Sequence, residues 1–199
     1  LGPCRQALVV GLGNREITPD AIGPEAVRNL IVTRHLGSEL PEALTGLTSV
    51  AACQPGVLGQ TGIESLALVK SAMQTAQPDV VIVIDALAAA EPGRLFRTVQ
   101  LTDTGIVPGS GVGNSRQEFS RRTLGVPVVA VGVPTVMDAA TMAVDLTGAD
   151  EPPELPEPLF VTTRDIDQRV RELSRLMGYA VTLALQPELE PEDITGLLG

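Results

Sequence analysis

The chain has 199 residues, 44% of them hydrophobic, and a formal net charge of −10. This length buries one sizeable core and asks for no second domain, so residues 1–199 read as a single domain. Phosphate backbones are bound by clustered cations. Here Lys70 is the only lysine and the arginines are scattered, which argues against direct nucleic-acid binding. With 2% aromatics and no Trp, the core falls to Val, Leu, Ile and Ala, a composition suited to helices layered on a sheet.

Cys4 and Cys53 form no CxxC motif, and two cysteines in a domain of this size do not make a disulfide scaffold. No apolar run reaches the roughly 20 residues that span a bilayer, and the lead into the first apolar segment is too short for a signal sequence. The expectation is a cytoplasmic protein with no membrane partner.

Ala7 to Val10 is a continuous apolar run that breaks into Gly11-Leu-Gly13-Asn14, the pattern of a buried strand entering a tight loop. A helix is predicted from Pro24 to Leu36, with proline in its first turn and Val27, Leu30, Ile31 and Arg34 at helical spacing. Thr61-Gly-Ile-Glu64 reads as a capping box opening a helix that runs to Ala76, before Pro78. Val80 to Ile84 is a β-branched run that reads as a central parallel strand ending at Asp85. Arg94 to Leu101 alternates as a more exposed strand, Val126 to Val133 is a second buried one, and a helix is predicted over Val136 to Leu146. Residues 151–158 are too rich in proline for helix or central sheet and read as an extended surface connection. A final helix is predicted from Arg164 to Leu185, with Thr163 as cap and Asp165 and Asp167 near its positive end. Alternation of this kind predicts an α/β fold, a mostly parallel sheet with helices on both faces.

Ligands of open α/β sheets bind beyond the carboxyl ends of the strands. Asp85 is predicted to end a buried strand, and Asp20 lies in the loop that leaves the first one. Each alone reads equally well as a turn residue, Thr18-Pro19-Asp20 being good turn chemistry. In one crevice they acquire a chemical meaning. Two close carboxyls cannot both ionise cheaply, so one keeps its proton and the pair supplies an acid and a base, enough to activate water without a metal.

Gly11-Leu-Gly13 begins like a dinucleotide fingerprint, but Glu16 stands where the third glycine belongs, so no nucleotide cofactor is expected. Pro108-Gly-Ser-Gly-Val-Gly-Asn114 lacks the lysine of a phosphate-binding loop and reads as a shaped turn near the site, offering backbone N–H groups to a substrate carbonyl. His35, the only histidine, is predicted at a helix carboxyl end. Cys53 falls in a predicted loop, and no GxSxG elbow is present.

Several spaced strings now become specific together. Gly11-Leu-Gly-Asn14, Thr18-Pro-Asp-Ala-Ile-Gly-Pro24, Val32-Thr-Arg-His-Leu36, Pro55-Gly-Val-Leu-Gly59, Thr61-Gly-Ile-Glu64, Ile84-Asp-Ala-Leu-Ala88, Asp103-Thr-Gly-Ile106, Pro108 to Asn114 and Gly132-Val-Pro-Thr135 occur in an order that resembles the bacterial germination protease family. The resemblance runs from about Ala7 to Leu146. It implies a phosphorylase/hydrolase-like α/β fold shared with hydrogenase maturation peptidases, and an atypical aspartic-type endopeptidase with Asp20 and Asp85 as its catalytic pair. Gly11, Gly13, Asn14, Asp103, Gly109, Ser110, Gly111 and Asn114 become candidates for binding substrate or shaping the site. No metal or other cofactor is implied. The implied substrates are small acid-soluble spore proteins, degraded in the spore core during germination, and the implied assembly is a tetramer of a zymogen-derived chain.

Three features depart from the family pattern, one being a segment after Leu146 that is much shorter than expected, although Val161-Thr-Thr-Arg164 and the final helix resemble the family's C-terminal end. Family members carry a longer N-terminal region with a removable propeptide, so this chain, opening close to its first strand, is expected to act without prior self-processing. Ala90 stands where an arginine is expected, implying altered substrate contacts. Two other readings stay open: a metal-dependent maturation peptidase on the same fold, and a non-catalytic spore protein that binds peptide in the crevice.

Overall fold

The computed structural model describes residues 4–39, 46–113 and 116–198. Six strands form one sheet: β1 (Gln6–Gly11), β2 (Ser49–Cys53), β3 (Val80–Ala89), β4 (Gln100–Thr102), β5 (Val128–Asp138) and β6 (Phe160–Val161). The order is β2-β1-β3-β5-β4, with β6 pairing a later part of β5. β2, β1, β3 and β5 run parallel, while β4 and β6 lie antiparallel to β5. The Asp79 carboxylate accepts the N–H groups of Arg5 and Gln6, each at 2.9 Å, tying the start of β1 to the start of β3.

The helices are α1 (Ile22–Arg28), α2 (Leu58–Thr61), α3 (Ser65–Ala76), α4 (Arg121–Leu124), α5 (Ala139–Thr147), α6 (Ile166–Leu185) and α7 (Pro191–Leu198). Strand side chains alternate between faces, and both faces are covered. Ala7, Val9, Ile82, Ile84 and Val133 pack with Ile22 and Ala26 of α1 and with Val170, Met177 and Val181 of α6. Leu8, Val10, Val81 and Val83 pack on the other side with Leu66 and Val69 of α3, Phe119 and Leu124. The expected mostly parallel sheet, with helices on both faces, is the fold observed.

α1 lies directly on the end of β1 because two glycines meet there. A Cβ added at Gly11 would stand 2.3 Å from the Gly23 carbonyl oxygen, and one at Gly23 would stand 2.3 Å from that of Leu12. Helix and strand therefore touch backbone to backbone at the mouth of the sheet.

Several boundaries differ from the sequence expectations, each because a long-range partner wins. The helix predicted to Leu36 stops at Arg28. The Asn29 side chain turns back to the Glu25 carbonyl, the Ile31 N–H donates to Thr182 Oγ1, and buried Thr33 bonds to Thr48 and Val50 at the edge of the sheet. β-Branched Val32 and Thr33 suit that extended path. His35 is consequently exposed, on the 3₁₀ segment Arg34–Glu39. β3 does not end at Asp85 but continues to Ala89, because β5 accompanies it from Gly132 to Met137.

The capping box is absent. Thr61 closes α2 and its Oγ1 accepts the Ile63 N–H, while Glu64 precedes α3 without a side-chain cap. Of the strand predicted from Arg94, only Gln100–Thr102 forms, after Pro92–Arg94 makes a 3₁₀ turn. Val136 belongs to β5, and α5 begins at Ala139, capped by Asp138 through the Thr141 N–H at 2.8 Å. α6 begins at Ile166 with Asp165 at its cap position; Thr163 is not the cap, and its hydroxyl is buried with no hydrogen-bond partner among the described residues. Residues 151–158 carry no helix or strand and are exposed, as their prolines require.

Candidate active site at the carboxyl ends of the strands

β3 and β5 outrun β1 at the carboxyl end of the sheet, and the step between them opens into a crevice of about 840 Å³. Asp20 and Asp85 both line it.

Asp85 arrives on β3, whose apolar run carries it to the floor of the crevice, where the residue is 4% exposed. Its Oδ1 accepts the Ala86 N–H at 2.9 Å. Burial pushes the carboxyl up to about 7, the negative charge of Asp20 adds to the rise, and the Ala86 N–H opposes both. Asp20 ends the 3₁₀ turn Thr18–Asp20, started by Pro19 and held from the sheet by Thr135, whose Oγ1 donates to the Pro19 carbonyl at 2.6 Å. Burial raises the Asp20 carboxyl as well, but its Oδ2 accepts the Asn14 N–H at 2.6 Å, which favours the ionised form.

The loop between β1 and Asp20 is shaped to make that bond. Gly13 has φ +115°, and a Cβ there would stand 2.0 Å from the Asp20 carbonyl oxygen, so no larger residue fits. Asn14 Oδ1 accepts the Glu16 N–H at 3.0 Å and Gln60 Nε2 at 2.7 Å, linking the Asp20 turn to α2 across the crevice.

The other candidates divide. Gly13, Asn14, Gly109, Ser110 and Gly111 line the crevice. The glycine-rich loop makes a 3₁₀ turn over Ser110–Val112, and the Ser110 N–H is used within it, donating to the Val107 carbonyl. Gly11 lies outside the lining, where its lack of a side chain lets α1 pack. Asp103 is exposed in the turn after β4 and also stands outside. Asn114 lies outside the described residues. Ala90 follows β3, is exposed and does not line the crevice.

Sequence reasoning did not single out the segment from Gly56 to Gly59, Glu64, Ser65, Arg116 or Thr135 as site residues, yet all of them line the crevice. Part of this signal was present in the strings Pro55-Gly-Val-Leu-Gly59 and Gly132-Val-Pro-Thr135. His35 and Cys53 are not in the lining, and burial pushes the Cys53 thiol up to about 11, leaving it protonated near neutrality. Among the described residues no group of three His, Cys, Asp or Glu side chains is placed to hold a metal ion, and no helix is long and apolar enough to cross a membrane.

These features define an α/β protein with two carboxyls in one crevice at the carboxyl side of the sheet, Asp85 buried and Asp20 half-buried, the charge of Asp20 adding to the rise at Asp85. Comparison with known proteins narrows the class. Residues 3–148 match the sequence profile of the germination protease family. The germination protease of Clostridium acetobutylicum is 42% identical over 94% of this chain and 67% of its own length. That of Bacillus subtilis (strain 168) is 56% identical over 69% of this chain and 38% of its own. Among solved structures, a NiFe hydrogenase maturation protease from Thermococcus kodakarensis superposes with a TM-score of 0.47 at 14% identity, covering 89% of this chain and 92% of that one. The chain belongs to the germination protease family, a family of peptidases.

Proposed function

We propose that the chain is an aspartic-type endopeptidase that hydrolyses small acid-soluble spore proteins during germination, with Asp20 and Asp85 as its acid–base pair. The observation that carries this reading is the Asp85 carboxyl, buried on the crevice floor, pushed up to about 7 and coupled to Asp20. The two environments support a division of roles. Burial raises both carboxyls, but Asp85 is the more buried and holds the proton, while Asp20, supported by the Asn14 N–H, is the carboxylate.

In this mechanism Asp20 takes a proton from water as the water oxygen bonds to the peptide carbonyl carbon, and Asp85 gives its proton to the carbonyl oxygen. Collapse of the resulting gem-diol returns a proton to Asp85. The C–N bond then breaks as Asp20 delivers its proton to the leaving nitrogen, which restores the starting state. A homo-oligomer working in the spore core, without a metal, completes the proposal.

The pH dependence tests it. A raised Asp85 pKa means that the acid loses its proton as pH rises through about 7, so kcat/KM falls above that point. It falls again at low pH as Asp20 becomes protonated. A bell-shaped profile with its basic limb near 7 is expected for a cleaved peptide. A rate that climbs steadily through pH 9 would contradict the assignment of the proton to Asp85.

A further inference from the structure

β1 stops short of its neighbours. Its backbone reaches β3 for the last time where the Leu12 N–H donates to the Ile84 carbonyl at 2.8 Å. β3 continues through Asp85 to Ala89, and among the described residues only β5 pairs with it there as a strand. In a parallel ladder the N–H and C=O of one residue point the same way, and successive residues alternate. Ile84 faces β1, so Ala86, two residues on, faces that same side, where β1 has ended and the crevice lies. Its N–H is taken by Asp85 Oδ1, and no turn or side-chain donor among the described residues is bonded to its carbonyl. Ala86 and Ala88 on β3 and Gly13 after β1 bring small or no side chains to the crevice, beside larger ones such as Leu12 and Leu87.

An unpaired strand edge is a ready template for a further strand. Here the open position has definite bounds, because it starts at Asp85, past the Leu12 bond, and runs toward Ala88, against which Gly111 packs; a strand advances roughly 3.3 Å per residue. It also has definite chemistry. One residue holds the Asp85 carboxyl with its N–H and turns its C=O to the crevice, so a peptide paired there is set in register with that carboxyl.

We propose that the crevice takes its substrate as an extended peptide segment that adds to the free edge of β3 beyond the end of β1, with one substrate N–H donating to the Ala86 carbonyl. This rests on the peptidase reading above and specifies the substrate class: stretches of polypeptide with no secondary structure of their own, since a helical or folded segment has its N–H groups already engaged. A bond to one strand edge is made by every second residue of the peptide, so recognition has a period of two.

The test is a backbone scan. A peptide spanning a cleavage site mapped by mass spectrometry is synthesised with each amide in turn replaced by an ester, which removes the N–H and adds no bulk. The expected result is a rise in KM of about 10-fold at one position near the scissile bond, and at the position two residues from it on the Ala88 side, the Ile84 carbonyl being already bonded to Leu12, with the intervening ester close to the parent. The same peptides are titrated into isotopically labelled Asp85→Asn protein, and the Ala86 carbonyl resonance is followed by NMR. It should shift with the parent peptide and stay unmoved with the critical ester. Hydrolysis with a flat scan and an unmoved Ala86 resonance would overturn the strand addition while leaving the peptidase reading intact. Alternating binding without hydrolysis by the wild-type chain would do the reverse, and neither binding nor hydrolysis would overturn both.

Discussion

Replacing Asp85 by Asn should lower kcat by about 10²–10⁴-fold, the contribution of a positioned general acid or base. The amide fits the same volume but cannot donate a proton to the carbonyl oxygen and recover it. Asp20→Asn should lose a comparable factor, since an amide takes no proton from water. Loss of activity should not be loss of fold, and the sign of the pKa shift says why. A carboxyl whose folded pKa is raised stabilises the fold below its unfolded pKa and loses that contribution as pH rises through the folded value of about 7. Asparagine carries no such cost, so Asp85→Asn should melt at or above the wild-type temperature at pH 8. Steady-state kinetics on a cleaved peptide and a thermal melt at that pH check both halves. Near-wild-type turnover in either variant would remove that residue from the mechanism.

Gly23→Ala should damage the fold severely for a single added methyl. The added Cβ would meet the carbonyl oxygens of Leu12 at 2.3 Å and Ile84 at 2.4 Å, both main-chain atoms of the buried sheet that cannot swing aside. Overpacking of this kind costs about 3 kcal/mol. Because α1 follows directly on the Asp20 turn, lifting the helix also moves Asp20 relative to Asp85. Urea unfolding should show the loss of stability, and kcat at a permissive temperature should fall with it. A midpoint equal to wild type would mean that α1 is not seated on β1 as described.

Much of this arrangement was legible in the residues. The runs at β1, β3 and β5 are continuous and apolar because each strand is covered on both faces, and that pattern survives in a single sequence. Asp20 and Asp85 followed from the rule that crevices open at strand ends, although Asp85 proved to lie within β3. What the residues did not disclose depends on distant partners. β2, Ser49–Cys53, is short and mostly half-buried, and it gave no signal until β1 was there to pair with it. The length of β3 was set by β5, and the end of α1 by Thr182 and Val50, 151 and 17 residues from the groups they bind. Glu64 and Arg116 reach the crevice on separate loops, and nothing in their local sequence marks them as neighbours of Asp85.

The central claim is that two carboxyls, without a metal, cut a spore protein. It is tested most directly by incubating this chain with a purified small acid-soluble spore protein at pH 6.5 in the presence of excess EDTA and following intact mass with time. The account predicts discrete fragments at the rate seen without chelator, and none from the chain in which both Asp20 and Asp85 are replaced by Asn. An unchanged substrate mass, or cleavage that stops with chelator and returns with added zinc or nickel, would contradict it.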